Sequence, residues 1–296
     1  MNQTLEVQQP GLVAATTRGA EVLPDALALE GVAPGSRADV ELQAPATTLE
    51  RLYVLALALR ALKPGGVLRV SAARNRGGLR LRKELEAFGC KVEEQSGQHA
   101  RTCTAVRPRE IIGFDEAIAA GAMRYDDALG LWTQPGLFAW DRLDSGTQLL
   151  LQHLPPLAGQ GADFGCGLGI LSREVLQSPA VTGLYLIDND RRAIEAARRN
   201  VVDQRARFIH GDITNLRLDR PLDFVVANPP FHTQGHESRA LGIAFVAAAA
   251  RGLGKGGLFC CVANRHLPYE AALQANFATV NASHSEGGFK IMSALR

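Results

Sequence analysis

Asp163-Phe164-Gly165-Cys166-Gly167-Leu168-Gly169 links an apolar run at residues 161–164 to a stretch with helical spacing at residues 168–176. Three glycines at alternate positions, set between a predicted strand and a predicted helix, let the backbone turn sharply and approach a ligand closely. In dinucleotide-binding α/β proteins such a turn delivers the ligand to the N-terminus of the following helix, where unpaired N–H groups point outward.

Strand and helix signals alternate outward from this turn. Residues 184–187 form a short apolar run ending in acid. Residues 190–201 are helical, with Ala193, Ile194, Ala197 and Val201 on one face. Residues 207–210 and 223–227 read as strands, residues 238–253 as an alanine-rich helix, and residues 258–262 as a buried strand. Residues 267–276 are helical, and two short strand signals follow. This alternation predicts an α/β fold with a mostly parallel sheet covered on both faces.

Three further positions fall where such a sheet opens its ligand crevice. Asp188 ends the second strand at the spacing of an acid that grips ribose hydroxyls, and Asn189 follows it. Asp190 is the expected helix cap. After the third strand comes Gly211-Asp212-Ile213, where Asp212 could accept a hydrogen bond from an adenine amine with Ile213 beside the ring. After the fourth comes Asn228-Pro229-Pro230-Phe231. Two prolines fix the backbone and remove two N–H donors, leaving carbonyls and the Asn228 amide oxygen as acceptors. A planar exocyclic amine is a poor nucleophile because its lone pair is delocalised. Acceptors for its hydrogens favour pyramidal geometry and free that lone pair, and Phe231 can stack on the base. His232 and His236 flank this loop, and substrate contact or solvent exposure suits them better than a role as base.

The chain also repeats itself. Leu62-Lys63-Pro64-Gly65-Gly66-Val67-Leu68 resembles Leu253-Gly254-Lys255-Gly256-Gly257-Leu258-Phe259, and each follows an alanine-rich helix. Aligning Asp39 with Asp223 puts Ala44 where the second copy has Asn228. The first copy also lacks a glycine-rich turn. A degenerate domain over residues 1–112, serving substrate recognition, and a catalytic domain over residues 113–296 are expected, joined through residues 109–135.

Composition narrows the classes further. Hydrophobic residues make up 46% of the 296 and charged residues 21%, the balance of a globular protein with a sizeable core. No apolar run is long enough to span a bilayer and no leader pattern is evident, so a cytoplasmic protein is expected. The five cysteines lack paired metal-ligand spacing and read as reduced, buried thiols; no metal is expected. A net charge of +2 permits an RNA partner without demanding one. Arg69, Arg74, Arg76, Arg80, Arg82 and Lys83 concentrate positive charge in the first half, as a phosphate-binding surface or a solvated face. A monomer is favoured.

Taken in order, the glycine turn, Asp188, Asp212 and Asn228-Pro229-Pro230-Phe231 resemble class I S-adenosylmethionine-dependent methyltransferases. The chain is most similar to ribosomal RNA guanine-N2 methyltransferases of the RsmC type. Gly136-Leu137-Phe138 through Leu143-Asp144-Ser145-Gly146-Thr147-Gln148-Leu149-Leu150 resembles that family's segment ahead of the first cofactor strand. Val262-Ala263-Asn264 with Leu267-Pro268-Tyr269 resembles the segment after its fifth strand. The resemblance implies a Rossmann-like seven-stranded catalytic domain preceded by a truncated, inactive methyltransferase-like domain, with S-adenosyl-L-methionine as cofactor and ribosomal RNA or the small ribosomal subunit as partner. It implies cofactor contacts at Phe138, Asp144, Thr147, Asp163, Gly165, Cys166, Gly167, Asp188, Asn189, Asp212, Ile213 and Asn228. Catalysis would fall to Asn228, Pro229, Pro230 and Phe231. Adenine N6 and a protein glutamine amide stay open as acceptors, since the same tetrapeptide serves them, and a non-catalytic RNA-binding or assembly module stays open as another class. A nicotinamide oxidoreductase would leave the Asn-Pro-Pro-Phe turn unexplained.

Overall fold

The computed structural model describes residues 5–6, 29–229 and 236–296. The chain divides into two compact units, residues 1–124 with 134–136, and residues 125–133 with 137–296.

The first unit contains β1 (Leu5–Glu6), β2 (Arg37–Gln43), α1 (Thr48–Ala61), β3 (Leu62–Ala73), α2 (Leu81–Ala87), β4 (Lys91–Ser96), β5 (Ala100–Val106) and α3 (Phe114–Gly121). The division falls beyond the expected boundary at 112/113. The reason is packing: Phe114, Ala117 and Ile118 of α3 pack against the first unit's core, beside Tyr53 and Val54 of α1. Among the described residues that core covers one sheet face only. Val40, Leu42, Leu68, Val70, Cys103 and Ala105 are buried, while Glu41 and Arg69, pointing the other way, are exposed.

The second unit runs β6 (Arg124–Asp126), β7 (Leu131–Thr133), α4 (Ser145–His153), β8 (Gly159–Phe164), α5 (Ile170–Val175), β9 (Val181–Asp188), α6 (Arg191–Asn200) and β10 (Ala206–His210). It continues with β11 (Leu222–Ala227), α7 (His236–Gly252), β12 (Leu253–Asn264), α8 (Glu270–Asn276), β13 (Thr279–Glu286) and β14 (Phe289–Leu295). Its seven strands are ordered β10-β9-β8-β11-β12-β14-β13. The first five are parallel, and β14 is antiparallel to both β12 and β13. Side chains of α4, α5 and α6 fill one face and those of α7 and α8 the other. Burial on both faces explains why Phe224-Val225-Val226-Ala227 reads as a continuous apolar run. Strand order reverses between β8 and β11, which places the glycine turn and Asn228 side by side at the carboxyl edge, where open α/β sheets bind ligands.

The first unit's order, β1-β2-β3-β5-β4, repeats β8-β11-β12-β14-β13. Gly65 and Gly256 share φ 79°. Gly65 donates to the Arg107 carbonyl at 3.0 Å and Arg107 to that of Gly66 at 2.9 Å; Gly256 and Arg296, then Arg296 and Gly257, do the same at 2.8 and 3.0 Å. This register corrects the sequence alignment by one residue. Leu42 pairs with Val70 as Ala227 pairs with Cys261, so Gln43, not Ala44, occupies the Asn228 position, and Ala44-Pro45 replaces Pro229-Pro230. Both copies carry a pairing irregularity at this same point, at Arg37/Asp39 and at Leu222/Phe224, so the offset comes only from matching Asp39 to Asp223 by residue type, when its counterpart in the sheet is Phe224.

The two copies also exchange large for small. Counting from the shared glycine pair, Arg51 stands where the second copy has Gly242, and Gly77-Gly78 stands where it has Pro268-Tyr269. A Cβ on Gly242 would lie 1.8 Å from the Tyr269 hydroxyl, and one on Gly77 would lie 2.3 Å from Arg51 Nη1. Arg51 is fully buried. It donates twice to Glu84 at 2.7 Å and to the carbonyls of Pro45 and Ala46 at 3.2 and 2.7 Å. The turn that carries Asn-Pro-Pro in one copy is thus tied to a buried arginine in the other. Counterparts of β9 and β10 are lacking among the first unit's described residues.

Candidate active site

Backbone hydrogen bonds shape the glycine turn. Gly165 and Cys166 both donate to the Ile187 carbonyl, at 2.8 and 3.1 Å, and Gly167 donates to Asp188 Oδ2 at 2.9 Å. Gly167 has φ +52°, and nothing lies within 4 Å of where a Cβ would sit. The backbone there is left-handed and its outer side open, as close approach of a ligand requires. Asn200 braces the turn from behind, donating to the Leu168 carbonyl at 3.0 Å.

Asp188 is half-buried. Its Oδ1 accepts from the Asp190 N–H at 2.9 Å while Oδ2 accepts from Gly167. Each oxygen therefore retains a lone pair for a ligand hydroxyl. Burial pushes its pKa up to about 6, against the pull of those two N–H donors. Asp190 caps α6 by accepting from the Arg192 N–H at 2.8 Å, which is the division of roles the sequence suggests.

Asp163 is fully buried at the end of β8. Its Oδ2 accepts from the Ser172 hydroxyl at 2.7 Å, and Oδ1 has no hydrogen-bond partner. Burial, with nearby Asp188 adding to it, pushes this carboxyl up to about 7 against the Ser172 hydrogen bond. The folded protein therefore holds a proton through the window from the ordinary carboxylate value of 3.8 to about 7, where the unfolded chain has released it. The cost of burying Asp163 is largest above pH 7 and fades as pH falls. Relative to the parent, Asp163→Asn is expected to gain stability at pH 8 and to keep less than half of that gain at pH 5, the rest fading toward pH 4. Urea unfolding at the two pH values measures this, and a difference independent of pH would contradict the assignment.

Asn228 follows β11 at the same edge. Its Nδ2 donates to Asp144 Oδ2 at 2.9 Å and to Thr147 Oγ1 at 2.8 Å, and its Oδ1 is buried without a partner. Asp144 is the N-cap of α4, accepting from the Thr147 N–H at 2.8 Å. These three side chains, with Phe138, Gly165, Cys166 and Gly167, line one cleft. Leu168, Ile170, Leu171 and Ala139 complete its wall, and none of these four was legible as a site residue. Ala139 has φ 51°, a conformation a non-glycine residue rarely takes; no local sequence signal marks it.

The structure does not gather every expected residue here. Asp163, Asp188, Asn189, Asp212 and Ile213 lie outside the lining of that cleft. Asp212 is exposed and closes its own turn, accepting from the N–H and hydroxyl of Thr214 at 2.8 and 2.7 Å and from Asn215 at 3.3 Å. Ile213 is buried in the core with Phe245, so its side chain is packing rather than a free flank for a ring. The Cys166 thiol is buried, and desolvation raises its pKa, which leaves the backbone as its contribution. Pro229 is buried. Pro230, Phe231 and His232 lie outside the described residues, and of His236 only the backbone, at the start of α7, is described. All five cysteines are buried. Among the described residues no cluster of His, Cys, Asp or Glu could hold a metal ion, and no helix is long and apolar enough to cross a membrane.

The residues present fit an adenosyl cofactor. Two carboxylate oxygens with spare lone pairs sit beside an open glycine turn, and an orphaned amide oxygen belongs to a residue that lines the cleft with that turn.

Comparisons with known proteins agree with this arrangement. Residues 128–293 match the methyltransferase small domain. The ribosomal RNA small subunit methyltransferase C of Shewanella piezotolerans is 30% identical over 250 residues, covering 82% of this chain and 73% of the relative. That of Shewanella sediminis is 29% identical over 247 residues, covering 81% and 72%. The T. thermophilus 16S rRNA N2 G1207 methyltransferase, solved with AdoMet and guanosine, superposes with a TM-score of 0.75 at 24% identity, covering 91% of this chain and 76% of that one, which shows the shared fold. With a cofactor-type glycine turn and the acceptor-bearing Asn228 at the edge of one sheet, the chain belongs to the methyltransferase small domain family, among the ribosomal RNA small subunit methyltransferases of the C type.

Proposed function

We propose that this protein transfers a methyl group from S-adenosylmethionine to the exocyclic N2 amine of a guanine in small-subunit ribosomal RNA. The observation that carries the reading is the Asn228 side chain, whose amide nitrogen is anchored and whose buried oxygen is left free. A buried acceptor without a partner is costly unless a ligand completes it. An amine with two hydrogens and a delocalised lone pair is such a ligand.

When bound, S-adenosylmethionine supplies a methyl group on a cationic sulfur. The chain's own residues do the rest. Asp188 accepts the ribose hydroxyls, and the Gly165–Gly167 backbone lets the cofactor lie close to the sheet edge. Asn228 Oδ1 would accept one hydrogen of the target amine, which favours pyramidal nitrogen and turns the lone pair toward the methyl. Positioning two reactants in line supplies a large part of such a rate enhancement. The methylated amine loses its proton readily, so no dedicated base is needed.

Similarity to the ribosomal RNA small subunit methyltransferases C supports RNA of the small subunit, and likeness to the T. thermophilus 16S rRNA N2 G1207 methyltransferase supports N2 of guanine over adenine N6 or glutamine. A ribosomal RNA substrate supports a cytoplasmic activity. Mapping methylated bases in small-subunit RNA from cells with and without the gene tests the reading: one N2-methylguanine is expected to disappear, and an unchanged map would refute it.

The first unit is proposed as the RNA-docking part. Arg74, Arg80 and Lys83 are exposed and form no ion pair among the described residues, and Leu79 beside them is 64% exposed. Arg69 lies on the open face of β3, and Arg82 pairs with Glu86 at 2.8 Å, so the charge concentration is narrower than the sequence suggests. Changing Arg74, Arg80 and Lys83 together to Ala is expected to weaken RNA binding and lower the salt slope of log K by roughly 2, at about 0.7–0.9 per phosphate contact. Cofactor affinity should not change. An unaltered salt slope would remove these residues from the interface.

A further inference from the structure

We propose that Asp144 and Thr147 are positioning residues that set which end of the Asn228 side chain faces the methyl acceptor. The proposal rests on the methyl transfer argued above and assigns these two residues a part distinct from cofactor contact.

A carboxamide is nearly symmetric in shape and opposite in chemistry at its two ends. Turned by 180°, Asn228 would present N–H donors to an amine that itself needs acceptors. Packing alone barely distinguishes the two orientations, so hydrogen bonding must. Both Nδ2 hydrogens are used, one on Asp144 Oδ2 at 2.9 Å and one on Thr147 Oγ1 at 2.8 Å. A threonine hydroxyl can donate or accept, so by itself it would tolerate either orientation. Here the Thr147 hydroxyl proton is directed to Asp144 Oδ2 at 3.3 Å, which leaves its lone pairs for Asn228. Asp144 as a carboxylate can only accept. The polarity of all three groups therefore follows from one charge, and reversing the amide would set a carbonyl against a carboxylate.

The anchor is rigid. Asp144 Oδ2 also caps α4 through the Thr147 N–H at 2.8 Å. Thr147 is buried in the first turn of that helix, whose Leu149 and Leu150 pack into the core. The partners of Asn228 lie 84 and 81 residues earlier in the chain. The cap and the catalytic amide thus share one oxygen.

Thr147→Val tests this, because it removes the hydroxyl, keeps the shape and leaves the position's own N–H to be capped. One net hydrogen bond is worth about 1–1.5 kcal/mol, so kcat is expected to fall about 10-fold, with cofactor Kd and RNA KM within about twofold of the parent. Thr147→Ser should restore the rate. In the Asn228→Ala background Thr147→Val should change nothing further, since a residue acting only through Asn228 has nothing left to position. Full additivity of the two losses, or a cofactor Kd that rises in step with the rate loss, would overturn the proposal. A second readout needs no activity. The Asn228 side-chain amide protons, assigned by their disappearance in Asn228→Ala, should exchange with solvent slowly in the parent and about 10-fold faster in Thr147→Val. Unchanged exchange would overturn the positioning role. A parent that methylates no ribosomal RNA while Thr147→Val still speeds exchange would refute the proposed function and leave the amide lock standing.

Discussion

Asn228→Ala is expected to slow methyl transfer by about 10²–10³, the usual cost of losing one preorganised group at a reacting centre, while cofactor affinity stays within a few-fold. The side-chain oxygen is buried and unpaired in the free protein, and it gains its partner from the amine. That hydrogen bond strengthens as the nitrogen turns tetrahedral, and an interaction made mainly in the transition state lowers kcat without moving ground-state binding. The anchoring of Nδ2 changes what Asn228→Asp should do. The sequence alone predicts that a carboxylate is the milder substitution, since it can accept. In the structure its second oxygen would replace the amide nitrogen 2.9 Å from Asp144 Oδ2, setting two carboxylates together. Asn228→Asp should therefore lose at least as much rate as Asn228→Ala at neutral pH. Single-turnover transfer of labelled methyl groups measures both, and a rate for either variant within a few-fold of the parent would contradict the role assigned.

Asp188→Ala is expected to weaken cofactor binding by about 10- to 100-fold, on the scale of one charge-assisted hydrogen bond at roughly 1.5–3 kcal/mol. Two losses contribute. The ribose hydroxyls lose their acceptor, and the Gly167 N–H loses the carboxylate that holds the turn, at 2.9 Å. Because burial pushes Asp188 up to about 6, the same affinity should also decline in the parent as pH falls through 6, when the carboxylate takes up a proton and surrenders a lone pair. Calorimetry with S-adenosylmethionine from pH 8 to pH 5 reads both effects. Unchanged affinity in Asp188→Ala, or a flat pH profile in the parent, would count against ribose binding there.

The parts of the fold legible in the sequence were those encoded locally. Apolar runs and helical spacing locate the strands and helices of the second unit from β8 onward, and the glycine turn, Asp188 and Asn228 come out at one sheet edge because each follows a strand whose end the sequence marks; β6, β7 and α4 carry no such signal. Features that depend on tertiary pairing were not legible. Helix α3 looked like a linker, yet its Phe114 and Ile118 pack on the first unit. The repeat is visible in the sequence, but its register is off by one there, because two aspartates, Asp39 and Asp223, invite a match that the strand pairing replaces with Asp39 and Phe224. That Asp212 also closes its own turn, accepting from the Thr214 N–H and hydroxyl, is set by the fold of that turn and carries no mark in the sequence. Asp144 and Thr147 entered by resemblance, with no hint that they hold Asn228 from more than 80 residues away.

The exchange of Arg51 for Gly242 and of Gly77-Gly78 for Pro268-Tyr269 gives the duplication a physical history. One copy kept a cleft and an Asn-Pro-Pro turn. The other tied the same turn to a buried guanidinium, with all its nitrogens engaged on Glu84, Thr48 and two carbonyls. A buried arginine paired in this way is costly to break and easy to keep. It is consistent with a first unit retained for its surface rather than for a cofactor.

The central claim is the identity of the acceptor atom. Incubating the protein with labelled S-adenosylmethionine and small-subunit ribosomal RNA, followed by digestion to nucleosides, tests it most directly. The account predicts label in N2-methylguanosine, absent with Asn228→Ala. Label in N6-methyladenosine, or in no nucleoside at all, would contradict it.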